Sequence, residues 1–133
     1  MKQLSTLAII ACVLAASCTA EKKSTAPVYS GNCADSLVGA YISTDVCASS
    51  GSSSEAANIV ANTSSDITIS FLYGVPVTAS VDCSKNAINI PAQTFSGSLT
   101  ISGTGTFTRN TIVINWNASY AGAPISCTTT YTR

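Results

Sequence analysis

Histidine is missing altogether from the 133 residues, and charge is scarce, with six Lys and Arg against six Asp and Glu, or 9% of the chain. The commonest general base and zinc ligand is therefore gone, and no CxxC pair stands in for it. There is no basic excess to hold nucleic acid. Nor is there a run of about twenty apolar residues that could cross a bilayer as a mature helix. The acids Asp35, Asp45, Glu55, Asp66 and Asp82 fall in turns and strand ends, with Lys85, Arg109 and Arg133 as the cations beyond residue 32. No nucleophile with a base can be read from them, and only a carboxylate pair across strands stays open. The expectation is a protein that is not an enzyme, holds no metal and needs no cofactor.

The start of the chain supplies an address. Lys2 precedes a largely apolar run over residues 4–16, the length of a secretory h-region. Ala15, Ala16 and Ser17 then lead into Cys18, a pattern that resembles a bacterial lipobox, with Ala15 where the commonest form has Leu. That resemblance implies cleavage before Cys18 and palmitate-type acylation of its thiol and new amino group. A cut before Cys12 and an ordinary cleaved signal are the competing readings. Several acyl chains hold a protein firmly on a membrane, since each buried methylene contributes about 0.8 kcal/mol. Thr19, rather than Asp, follows the cysteine, as in sorting to the outer membrane of a Gram-negative cell envelope. The chain thus divides into a lipoprotein signal peptide at 1–17, a flexible tether at 18–32 and a domain at 33–133. The only membrane partner expected is the bilayer that receives the lipid.

With Cys12 and Cys18 set aside, Cys33, Cys47, Cys83 and Cys127 remain. An even number in a small exported domain argues for two disulfides, and spacing leaves all three connectivities open.

What fills the rest is alternation. Leu99, Ile101, Gly103, Gly105 and Phe107 alternate with Thr100, Ser102, Thr104 and Thr106; after a turn, Ile112, Ile114 and Trp116 alternate with Thr111, Val113 and Asn115. Period two means half-buried strands. A hairpin with Phe107 facing Ile112 sets Gly105 opposite Ile114 and Gly103 opposite Trp116, so bulky side chains lie over glycines where a sheet bends. Those glycines superficially suggest a phosphate loop, but no helix follows them.

The same pattern predicts strands at 37–47, 57–62, 67–73, 77–83, 87–90 and 125–132. Residues 48–55 and 117–124 read as loops, 74–76 as a three-residue connection with Tyr73 facing Val77, and Pro91 as a strand stop followed by a crossing at 92–98. The fold class is all-β: an antiparallel up-and-down meander of about eight strands, forming a small barrel or a sandwich.

Several motifs carry a family likeness. They are Gly39 and Tyr41 before Cys47, Ile67-Thr68-Ile69, Ile88-Asn89-Ile90-Pro91-Ala92-Gln93, Ser102-Gly103-Thr104-Gly105-Thr106, and Cys127 before Tyr131. On these the domain resembles small uncharacterised lipoproteins of Bacteroidetes-type bacteria. The resemblance implies an exported, loosely lipocalin-like β domain and no particular activity. It also implies that Cys47 pairs with Cys127, leaving Cys33 with Cys83. A physical counter-argument is that Cys83 and Cys127 both look core-facing.

Asp35-Ser36-Leu37 resembles the O-glycosylation signal of such bacteria, making Ser36 a modification candidate. Trp116 reads first as core filling and Tyr120, beside Gly122, as an exposed contact, so both are kept as candidate ligand or surface residues. The functional expectation is a membrane-anchored binding or surface-interaction domain whose loops meet a protein or glycan partner. The alternative is a lipocalin-like carrier of a small apolar ligand, which requires an interior cavity of several hundred cubic ångströms.

Overall fold

The computed structural model describes residues 32–133, with the side chain of Phe71 excepted. The expected signal peptide, Cys18 and the expected tether up to residue 31 lie outside the described residues. One helical turn, α1 (Cys33–Ser36), precedes eight strands: β1 (Gly39–Cys47), β2 (Gly51–Ala61), β3 (Asp66–Leu72), β4 (Val75–Asp82), β5 (Ala87–Phe95), β6 (Leu99–Phe107), β7 (Thr111–Tyr120) and β8 (Ala123–Thr132). Each pairs antiparallel with the next, and β1 pairs with β8, so the sheet closes into a barrel rather than a sandwich.

The alternation lines the ring that the β1–β8 pairing closes. Ile59, Ile67, Ile69, Val77, Ile101, Ile112 and Ile114 point inward and are fully buried. The outer face is largely hydroxyl and amide, with Ile42, Val46 and Val60 exposed among them, and is tied across strands by Thr128 to Asn115 (2.8 Å) and Ser126 to Asn117 (2.7 Å). Apolar inside and polar outside is the reverse of a membrane-spanning barrel. No helix among the described residues is long and apolar enough to cross a membrane. The β6–β7 register is the expected one, with Phe107 opposite Ile112, Gly105 opposite Ile114 and Gly103 opposite Trp116.

Four expectations are corrected. Of residues 48–55 only 48–50 are a turn: β2 starts at Gly51, because its serines pair with the outer and inner positions of β1 without needing to be buried. Residues 117–124 are not a loop either. β7 and β8 run to a two-residue turn at Ala121 and Gly122, whose φ values of 49° and 84° suit the twist of a tight hairpin. Tyr73 does not face Val77. Tyr73 and Gly74 form another such turn, and an irregularity between Ile69 and Leu72 brings Leu72 opposite Val75 and Ile69 opposite Val77. Pro91 does not stop β5, because it sits in a register shift between Ile90 and Gln93 where its missing N–H is not needed. Gln93 replaces the broken ladder with its side chain, donating from Nε2 to Thr78 O (2.7 Å) and accepting at Oε1 from Thr78 N–H (2.9 Å).

The two ends of the barrel differ. At the lower end, with the β2–β3, β4–β5 and β6–β7 turns, α1 forms a plug in which Cys33, Ala34 and Leu37 are buried. The Cys33–Cys83 disulfide fastens this plug to the end of β4. Arg133 braces it by donating to Val38 O (3.1 Å), Ser36 O (2.6 Å) and Arg109 O (2.9 Å), with its guanidinium 5.0 Å from the centre of the Tyr41 ring. The upper end carries the β1–β2, β3–β4, β5–β6 and β7–β8 turns and, among the described residues, no plug.

Candidate functional site

The inward positions of β1, read upward, are Tyr41, Ser43, Asp45 and Cys47, so this strand turns polar as it climbs. Asp45 lies opposite Thr129 of β8, and Cys47 lies opposite Cys127, to which it is disulfide-bonded. Trp116 of β7 lies opposite Cys127 from the other side. The indole Nε1 donates to Thr129 Oγ1 (2.7 Å), and that hydroxyl donates to Asp45 Oδ1. Thr129 is fully buried, so the relay satisfies a hydroxyl and an indole N–H that would otherwise be stranded in an apolar interior. Below it, burial raises the Tyr131 phenol pKa, and the negative charge of Asp45 adds to the shift.

Above this floor the barrel opens. β2 and β3 pair only through Ile59–Ile69, Val60–Thr68 and Ala61–Ile67, so the upper half of β2 is held by β1 alone, apart from Asn58 N–H donating to Ser70 Oγ (2.8 Å). Glu55 and Ser53, on the inward side of β2 opposite Ser43 and Asp45, are consequently exposed. Tyr73 leans from the β3–β4 turn toward Trp116, ring centres 5.7 Å apart and planes inclined by 58°. The result is a mouth of about 370 Å³ lined by Asp45, Cys47, Ser50, Ser53, Glu55, Tyr73, Gly74 and Trp116. Asp45 and Glu55 are diagonal neighbours on one face, an arrangement that sets positions roughly 7 to 8 Å apart. Among the described residues no group of three His, Cys, Asp or Glu could hold a metal ion.

The candidates named from sequence are only partly gathered here. Trp116 forms the floor, and the Cys47–Cys127 bridge stands beside it. Tyr120 is 53% exposed at the end of β7, against the β5–β6 turn, and does not line the mouth. Ser36 is at the opposite end, half-buried in α1, its Oγ donating to Cys33 O (2.7 Å). The disulfides are Cys33–Cys83 and Cys47–Cys127, the pairs the family resemblance implies. Sequence reasoning missed Asp45, Glu55, Tyr73 and Thr129 as a set. The available signal was the acid at the end of an otherwise apolar-and-hydroxyl inward face, with a second acid on the neighbouring strand.

No family model matches the chain, and no curated protein matches it. Solved structures share its architecture. A redesigned β-barrel matches with a TM-score of 0.54 and 12% identity, over 77% of this chain and 95% of that one. Another redesigned barrel, mFAP1, bound to DFHBI, matches with a TM-score of 0.54 and 18% identity, over 77% of this chain and 99% of that one. These likenesses concern the fold alone. An outer membrane protein of Bacteroides fragilis, itself only provisionally so assigned, aligns at TM-score 0.48 and 14% identity over 74% of this chain and 50% of its own, too loosely to bear on function.

Proposed function

We propose that this protein is an exported, non-enzymatic binding barrel, held on the cell envelope by lipid on Cys18, that takes a small ligand at its open upper mouth. The observation that carries the reading is the contrast between the ends: a plug of α1 and Arg133 below, and above it a mouth of about 370 Å³ floored by the Trp116–Thr129–Asp45 relay. That volume lies in the range of small-molecule sites. Asn32, where the described residues start, lies beside the lower β2–β3 turn, at the end of the barrel opposite the mouth. The mouth lining argues against a purely apolar cargo, because carboxylates and serines share it with the two rings.

Two experiments test this. Radiolabelled palmitate should enter the wild-type protein and not Cys18→Ala; equal labelling overturns the anchor. A fragment collection screened by ligand-observed NMR should yield binders lost in Ser53→Trp, which fills the mouth, and kept in Ser52→Trp, on the outer face. If no binder responds to Ser53→Trp, the mouth is not a binding site.

A further inference from the structure

We propose that the mouth takes a small organic cation, an ammonium group on an apolar body, with the charge held by Asp45 and Glu55 and the body against Tyr73 and Trp116. This rests on the binding reading above and names its ligand class.

Charge is sorted along the barrel axis. Lys85, Arg109 and Arg133, the cations of the described residues, all lie at the lower end. Lys85 is there paired with Asp82 (3.0 Å), and Arg133 is spent on backbone carbonyls. Asp35 and Asp66 also lie below. The upper end therefore carries two carboxylates, Asp45 and Glu55, on one inward face, with no cation among the described residues beside them. Like charges that near each other favour a positive guest and repel an anionic one. The Thr129 hydroxyl positions one oxygen of Asp45, and the other can accept from a ligand N–H.

The aromatic pair adds a second selection. A ring face attracts a cation and also covers an apolar body, whereas a neutral guest leaves the two carboxylates uncompensated. A bare metal ion fits poorly, since among the described residues no third acidic or sulfur ligand converges with the pair.

The test is calorimetric titration of the purified full-length protein with cyclohexylmethylammonium and with its neutral counterpart cyclohexylmethanol, followed also by difference absorbance of Trp116, the single tryptophan. The ammonium should bind with an affinity that falls as salt rises, and the alcohol about tenfold or more weakly. Glu55→Gln, a change at an exposed position, should weaken the ammonium about tenfold and leave the alcohol unchanged, and Asp45→Asn should do the same. Equal binding of ammonium and alcohol, or an ammonium affinity indifferent to Glu55→Gln, overturns the cation assignment while the mouth remains a site. If neither probe binds and no fragment binder responds to Ser53→Trp, the binding reading itself fails and takes this inference with it.

Discussion

Gly103 lies directly across the β6–β7 ladder from Trp116, and a methyl group placed on it would come within 2.8 Å of both the Trp116 Cβ and the Asn115 carbonyl. The tryptophan that floors the mouth is therefore seated on a missing side chain. Gly103→Ala should destabilise the barrel by about 1 to 3 kcal/mol, because neither backbone nor Cβ can yield as a flexible chain end would. Gly105→Ala, whose methyl would run into the Val113 carbonyl and Ile114, should do at least as much. Urea unfolding of the two variants checks both, and wild-type midpoints would disprove the seating.

Thr129→Val removes the hydroxyl between the indole N–H and Asp45 while keeping its volume. A buried donor left without an acceptor costs about 1 to 3 kcal/mol. Thr129→Ser, which keeps the hydroxyl, should lose less. Chemical denaturation of the three proteins side by side gives the comparison.

The disulfides close long loops, with sequence separations of 50 for Cys33–Cys83 and 80 for Cys47–Cys127. Replacing either pair by alanines should lower stability by about 4 kcal/mol on the chain-entropy account. The local effects should differ. Loss of Cys33–Cys83 should speed amide exchange in α1 and leave the mouth protected, and loss of Cys47–Cys127 should do the reverse.

Stability should fall at both pH extremes for assignable reasons. Ser84 and then Lys85 hold the Asp82 carboxyl down at about 2, from an ordinary 3.8. A lowered folded-state value means the contribution is present above about pH 3.8 and is lost as pH drops toward 2, so Asp82→Asn should be less stable than wild type at pH 5 and converge with it near pH 2. Burial raises Tyr131 from an ordinary 10.0, so its contribution is whole below pH 10 and is lost as pH climbs beyond. Tyr131→Phe should flatten that alkaline limb. Thermal melts across pH 2 to 12 measure both.

Much of the barrel was legible because its inner positions are apolar at every second residue, as in Ile112, Ile114 and Trp116, and no helical period competes. What escaped was held by tertiary closure. The Ser-rich start of β2 carries no burial signal and is a strand only because β1 lies beside it. The turns at Tyr73-Gly74 and Ala121-Gly122 put a side-chain-bearing residue at positive φ, which turn chemistry alone would assign to Asn or Asp. Gln93 mends the ladder around Pro91 by a side-chain contact that no period reports. The mouth was hidden for a similar reason: Asp45 and Glu55 become neighbours only once the β1–β2 register is fixed.

The first strand of the ring is also a neighbour of the last. Until residues from Ala123 onward arrive, neither β1 nor β7 has its second flank, and their inward faces stay wet. Folding must therefore come late in the making of the chain and be slow beside that of helical proteins of similar length, since its decisive pairing spans nearly the whole domain.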